Sequence, residues 1–393
     1  MKVEEYIQYD GLELASLIRA KEVTAEELLA CSQEQQNLVN PTLNAVVHDR
    51  YEKAAEELSS IETGHLFSGV PLLLKDISQA LAGERLTSGS SLFKDLVMSH
   101  DSNYVKALRK GGFVFTGHTN TPEFALKNIT EPRLFGPSRN PWNTDHSPGG
   151  SSGGATAAVA SGIVPVGGAS DGGGSIRIPS SFTSLVGLKP TRGKTPVGPG
   201  VGRNWQGASV EFVVTRSVRD AAAALDLLQT VQPEAAFQTP MYEMSYLETL
   251  RRQAIKPLKI AYNLQSPVGT PVSDEAKKAV MKVIQAAEAA GHAVEEVQPN
   301  IDGIQLMRNY YLMNSGEMAN VFGQIEQGIG RELTPEDVEI EGWLLAQAGK
   351  SVTAAEYANS LNEWDLAGIA MAELHETYDF YVTPSTADVA PKV

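Results

Sequence analysis

The chain is poor in the residues that mark secreted, metal-clustered or nucleic-acid-bound proteins. Its single cysteine, Cys31, excludes an internal disulfide and a cysteine-built metal site and points to a reducing, cytoplasmic setting. Basic residues are scarce, with 32 Lys and Arg against 47 Asp and Glu and a formal charge of -15. Such a surface repels a phosphate backbone, so no direct nucleic-acid partner is expected. No apolar window approaches the length of a membrane span, so no membrane partner is expected either. The acidic start Met1-Lys2-Val3-Glu4-Glu5-Tyr6 lacks the basic head and apolar stretch of a signal peptide. There is no fixed-period repeat, which argues against a solenoid. A phosphate-binding G-x-x-x-x-G-K-[ST] loop is missing as well, because Leu188 stands where the first glycine ahead of Gly193-Lys194-Thr195 is required.

What is present describes a soluble globular protein: 393 residues, 42% hydrophobic and 20% charged, enough to bury a large core. Residues 12 to 38 read as two helices, the second opening with Thr24 and Glu27 in capping-box spacing. Short apolar runs then alternate with helical patterns, as in an α/β protein whose helices cover a central sheet. The expected strands are Leu43 to Val47, Val70 to Leu74, Phe113 to Thr116, Ile163 to Val166, Glu211 to Thr215, Leu258 to Tyr262 and Phe380 to Thr383. Between Gly136 and Gly202 glycine, serine and proline dominate, a composition that presents backbone groups to a ligand. Helical spacing returns from Ser273 to Ala290 and on to His375, a variable region expected to cover the site.

Two serines stand in glycine-rich turns, in Gly149-Gly150-Ser151-Ser152-Gly153-Gly154 and in Asp171-Gly172-Gly173-Gly174-Ser175-Ile176-Arg177. Glycine lets the backbone approach a substrate closely. The N–H groups of Gly172, Gly173 and Gly174, ahead of a short helix expected at Ser175, would form a donor site for a developing oxyanion, with Ser175 as nucleophile. A serine needs a base. Of seven histidines only His146 lies in the glycine-rich stretch, on a proline-flanked loop that reads as polar surface. Lys75 ends the apolar run Gly69-Val70-Pro71-Leu72-Leu73-Leu74, as a strand end projecting into a cleft would, and burial lowers a lysine's pKa toward a usable base. Taken singly, a strand-end lysine paired with an acid and a flexible glycine-serine loop are the commoner meanings of these segments. A Ser-His reading also stays open, since Gly149-Gly150-Ser151-Ser152-Gly153 fits G-x-S-x-G with His292 or His375 downstream. That elbow requires a strand immediately before its serine, where the sequence has Asn140-Pro141-Trp142-Asn143 through Pro148.

Taken together, these segments resemble the amidase signature family. The resemblance rests on Gly149 to Gly154, Ala158-Val159-Ala160, Gly162, Pro165, Asp171, Gly173 to Arg177, Pro179 and Gly187-Leu188-Lys189-Pro190-Thr191 at the family's spacings. Gly69 to Asp76 with Thr87, Gly89 and Ser90 matches the family's lysine motif, and Asn120, Glu123-Phe124-Ala125 and Gly136 through Trp142 fill the stretch between. It implies a single α/β domain over residues 1–393, a mixed twisted sheet with helices on both faces. Within it, 1–60 would form an N-terminal helical layer, 61–230 the catalytic core, 231–377 the variable helical region and 378–393 a truncated return to the core. It implies a Ser–cis-Ser–Lys triad acting on a small-molecule amide through an acyl-enzyme, without metal or cofactor. Ser175 would attack, Ser151 would follow a cis bond from Gly150 and relay the proton, and Lys75 would accept it. Ala125 and the Gly172 to Ser175 turn would contact substrate, with Ser152, Asp171 and Arg177 as support.

Within the family, Ala169 to Pro179 is similar to 6-aminohexanoate-cyclic-dimer hydrolases. The amidotransferase A subunits commonly carry threonine in place of Gly172 and glutamine in place of Ile178, which tilts the expectation toward a stand-alone hydrolase and away from the glutaminase of a tRNA-dependent amidotransferase. After Tyr381-Val382-Thr383-Pro384-Ser385-Thr386 the family usually continues with a further segment, so a stop at Val393 is expected to leave a C-terminal segment missing. The exposed edge would favour association into a homo-oligomer, or an inactive chain serving as a binding or partner subunit.

Overall fold

The computed structural model describes residues 1–252 and 256–393. They form two compact units, Met1–Arg251 with Ala390–Val393, and Arg252–Val389.

The first unit opens with helices α1 (Val3–Tyr6), α2 (Gly11–Arg19) and α3 (Ala25–Leu43). Thr24 caps α3 in a reciprocal box with Glu27, as its spacing predicts. The helix then runs through Pro41 to Leu43, displacing the first strand to β1 (Val46–Asp49). After α4 (Tyr51–Glu57) come β2 (Pro71–Lys75), α5 (Asn103–Lys110) and β3 (Val114–Thr119). Then follow α6 (Gly153–Ala160), β4 (Val166–Asp171), α7 (Arg177–Thr183), β5 (Val186–Gly187), β6 (Val210–Thr215), α8 (Val218–Leu228) and α9 (Tyr246–Thr249). The six strands make one mixed sheet in the order β1-β3-β2-β4-β6-β5. Strands β3, β2 and β4 run parallel, and β1 and β6 are antiparallel to their neighbours. Every residue of β2, β3, β4 and β6 is buried, as expected of strands covered on both faces, although only β2 is close to a continuous apolar run.

Strand β4 departs most from expectation. The apolar run Ile163 to Val166 only leads into it, and the strand itself is Val166-Gly167-Gly168-Ala169-Ser170-Asp171. Tertiary packing overrides the low strand propensity of glycine here. A Cβ at Gly167 would sit 3.1 Å from Val159 of α6, and one at Gly168 only 2.2 Å from the Gln79 amide oxygen. Alternation along the strand therefore sends Gly167, Ala169 and Asp171 to one face and Gly168 and Ser170 to the other.

The second unit carries its own parallel sheet, β8-β7-β9, built from β7 (Lys259–Tyr262), β8 (Ala293–Glu296) and β9 (Phe380–Val382). Helix α10 (Asp274–Ala289) makes the crossover that parallel β7 and β8 require. Helices α11 (Gly303–Ile329), α12 (Ile340–Gly349) and α13 (Ala354–His375) complete it, ending at His375 as the helical spacing predicts. The runs at Leu258 and Phe380 are strands, but they pair with each other rather than with the central sheet. The last four residues, Ala390–Val393, belong to the first unit. Pro391 accepts the Ser147 N–H at 2.8 Å, and Val393 donates to Asp145 at 3.0 Å. No helix among the described residues is long and apolar enough to cross a membrane.

Candidate active site

The parallel strands β2 and β4 end side by side, where open α/β sheets place their ligands. Lys75 is the last residue of β2 and has no solvent exposure. Its Nζ lies 2.7 Å from Ser151 Oγ and 3.1 Å from Ser170 Oγ. Burial pushes its pKa down from 10.5 to about 7, against the opposing pull of the Glu211 and Asp171 carboxylates. A lysine so held is neutral in a substantial fraction of molecules near pH 7.

Ser151 is fully buried and follows a cis peptide bond from Gly150. A Cβ at Gly150 would stand 2.7 Å from the Ile129 backbone, so the turn has no room for a larger residue. No strand precedes Ser151, since residues 141–150 are turns and irregular backbone, and the elbow that a Ser-His reading needs is absent. His292 and His375, its candidate bases, lie in the second unit, where the first accepts the Leu258 N–H at 3.2 Å and the second pairs with the Tyr378 carbonyl at 3.0 Å. His146 pairs with the Ala390 carbonyl at 2.6 Å.

Ser175 is 8% exposed, whereas Lys75 and Ser151 are wholly enclosed, so of the three it is the one that meets solvent. The Asp171 carboxylate organises its turn, accepting the N–H groups of Gly174 at 2.8 Å, Ile176 at 3.1 Å and Arg177 at 3.3 Å. It is also gripped by two guanidinium nitrogens of Arg177 at 2.9 Å. Burial alone would raise the Asp171 pKa, but the Arg177 pair and these amides hold it below the usual range. This corrects one expectation: the Gly174 N–H is spent on Asp171 and is not a free oxyanion donor. Among the described residues the N–H groups of Gly172, Gly173 and Ser175 have no acceptor, and they are the donors available to an oxyanion. The expected helix at Ser175 begins two residues later, at Arg177. Ser152 ties the two serine turns together. Its N–H donates to the Ser175 carbonyl at 3.2 Å, and its hydroxyl exchanges hydrogen bonds with the Ser170 backbone at 3.2 and 3.3 Å.

Ala125 lies on a turn in which it and Phe124 take φ of 59° and 52°, a left-handed conformation costing an L-residue about 1–2 kcal/mol. Its N–H is used by the Pro122 carbonyl at 2.9 Å, leaving its own carbonyl as the backbone group it can offer. The turn hangs from the residue after Lys75. Asp76 accepts the Thr87 N–H at 2.9 Å, its carbonyl takes the Ser88 N–H at 2.8 Å, and Ser88 in turn accepts the Phe124 N–H at 2.9 Å.

Three residues with no role assigned from sequence complete the surroundings. Gln79 receives the Lys75 N–H at 2.8 Å and donates to Ala169 at 3.1 Å and to Glu211 at 2.8 Å, joining β2, β4 and β6. Glu211 is 4% exposed and also accepts from Ser78 at 2.6 Å. Burial raises its pKa, outweighing the Ser78 and Gln79 hydrogen bonds and the Lys75 charge. Ser170 is the register partner of Glu211 across β4 and β6. The only sequence signal for it was the strand period. Once β4 is extended to Asp171, Ser170 must face away from Asp171, toward Lys75.

Comparison with known proteins identifies the family of this chain. The sequence profile of the Amidase family matches residues 27–393. The chain belongs to the amidase signature family. This amidase-family chain is 41% identical over 390 residues to a lipoamidase from Enterococcus faecalis, covering 99% of itself but only 51% of that protein, so it spans about half the length of that relative. It is 35% identical to the 6-aminohexanoate-cyclic-dimer hydrolase of Paenarthrobacter ureafaciens, with 98% of this chain and 79% of that one aligned. A solved 6-aminohexanoate cyclic dimer hydrolase complexed with substrate superposes with a TM-score of 0.93 at 33% identity, over 98% of this chain and 81% of the other. The central mixed sheet flanked by helices is therefore the family's own.

Proposed function

We propose that the chain is an amidase, cleaving a linear or cyclic carboxamide by way of an ester to Ser175. The observation that carries this reading is the enclosed 2.7 Å contact between Lys75 Nζ and Ser151 Oγ, beside a turn that leaves the Ser175 hydroxyl in reach of solvent. In the proposed reaction Ser175 Oγ bonds to the amide carbon, its proton passes to Ser151 and the Ser151 proton passes to neutral Lys75. The N–H groups of Gly172, Gly173 and Ser175 are the donors to the oxyanion, and Asp171 keeps their turn in shape. Breakage of the C–N bond returns the proton through Ser151 to the leaving nitrogen. Water then attacks the ester by the same relay, and the carboxylic acid leaves. Among the described residues Ser175 makes no side-chain hydrogen bond, and the relay requires its hydroxyl to come within hydrogen-bonding reach of Ser151 in the substrate complex.

The lipoamidase and the 6-aminohexanoate-cyclic-dimer hydrolase among the relatives favour an amide of an aliphatic acid as substrate class. Purified protein is to be offered linear and cyclic aliphatic amides and, separately, a fluorophosphonate. Hydrolysis and labelling at Ser175 are expected, and Ser175→Ala should lower hydrolysis by at least about 1,000-fold. Undiminished hydrolysis by that variant would overturn the assignment.

A further inference from the structure

The second hydroxyl on the Lys75 amine has no part in the relay just described. A neutral amine has one lone pair and two N–H groups, and it acts as a base only while the lone pair points at the proton to be taken. Two hydroxyls compete for this one, Ser151 Oγ at 2.7 Å and Ser170 Oγ at 3.1 Å. The shorter contact lies in the range of a strong hydroxyl hydrogen bond and the longer in that of an ordinary N–H donation. We propose that Ser170 is a positioning residue: by accepting one N–H of Lys75 it turns the amine so that its lone pair meets the Ser151 proton. The proposal rests on the amidase reading above and deepens it.

The setting suits this role. Ser170 is 7% exposed and its backbone is clamped on both sides by Ser152, through the 3.2 and 3.3 Å bonds to the Ser152 hydroxyl. Its Oγ therefore has little freedom relative to the serine turns. Lys75 is fixed at its backbone by Gln79, so the amine swings only about its own side chain. Among the described residues Ser151 is the amine's one other hydrogen-bond partner, so without the Ser170 oxygen its rotation about its last bond is held by a single contact. The charged groups bearing on the amine are Glu211 on β6 and Asp171 at the end of β4, and neither accepts one of its protons directly.

Ser170 also accepts from the ammonium form, and a charge-assisted bond is the stronger one. Its loss should lower both the rate of proton removal and the affinity of Lys75 for a proton. The test uses the rate at which a fluorophosphonate labels Ser175, which needs no knowledge of the natural substrate. There Ser175 Oγ bonds to phosphorus, the P–F bond breaks, fluoride leaves and the serine proton goes through Ser151 to Lys75. Rates are measured from pH 5 to pH 9 for wild type, Ser170→Ala and Ser170→Thr, with thermal midpoints alongside. In Ser170→Ala the plateau rate should fall about tenfold or more while the acid limb moves to lower pH, by about one unit if one charge-assisted bond is lost. Ser170→Thr, which keeps the hydroxyl, should recover most of the rate. A purely structural role would lower the midpoint and the yield of active protein without moving the limb. If wild type labels at Ser175 and Ser170→Ala labels at the same rate with the same limb, the proposal is wrong and the relay stands. If wild type does not label at Ser175, the relay itself fails and this inference with it.

Discussion

Replacing Lys75 by methionine separates the cost of burying the amine from its use. The native state holds the Lys75 pKa at about 7, against 10.5 for the free side chain, because burial disfavours the ammonium form. Since the folded pKa is the lower one, the native state binds fewer protons than the unfolded chain between those values, and stability rises with pH across that window. Well below pH 7 both states are protonated and the native state bears the whole penalty, 3.5 units at about 1.4 kcal/mol each, or about 5 kcal/mol. At pH 7 about 4 kcal/mol remains and at pH 9 about 2 kcal/mol. Methionine has nearly the same length and no charge, so Lys75→Met carries none of this dependence. It does leave the Ser151 and Ser170 hydroxyls short of a partner, at roughly 1–3 kcal/mol each, but that loss is the same at every pH in the range. Urea unfolding of the two proteins at pH 7 and pH 9 should therefore show wild type gaining about 2 kcal/mol relative to the variant. Parallel stabilities across that range would mean that Lys75 is not deprotonated by folding, and the base would have to be sought elsewhere.

Two further outcomes follow from the buried surroundings of the lysine. The acid limb of kcat/KM should lie near pH 7, and Glu211→Gln should move it to lower pH, because the Glu211 carboxylate favours the protonated amine; a limb that stays in place would mean that Glu211 is already uncharged in the active form. Gly168→Ala would put a Cβ 2.2 Å from the Gln79 amide oxygen, and should destabilise the protein by about 1–3 kcal/mol and lower activity, read as a shift in the denaturation midpoint; an unchanged midpoint would show that Gln79 is free to move.

The local sequence of this protein determined those features whose cause is local. An apolar run ending in a lysine is a buried strand end, Thr24 with Glu27 is a helix start, and Asp171 ahead of three glycines and Ser175 is a tight turn with amides to spare. Which amides were spare was decided only in three dimensions, because a carboxylate that folds back on its own turn consumes the Gly174 N–H. The strand at 166–171 was hidden for a similar reason: its two glycines are required by packing, Gly168 by the distant Gln79 and Gly167 by the way the preceding helix α6 folds back on the strand. Likewise the strands at Leu258 and Phe380 carry the same apolar signal as those of the central sheet, since strand propensity says nothing about partner. Ser170 and Glu211 entered the site through register alone. The antiparallel pairing of β4 with β6 sets them opposite one another, and the parallel pairing of β4 with β2 brings Ser170 to an amine 95 residues away. Pairing of that kind is a property of the assembled sheet, and no local pattern of residues records it.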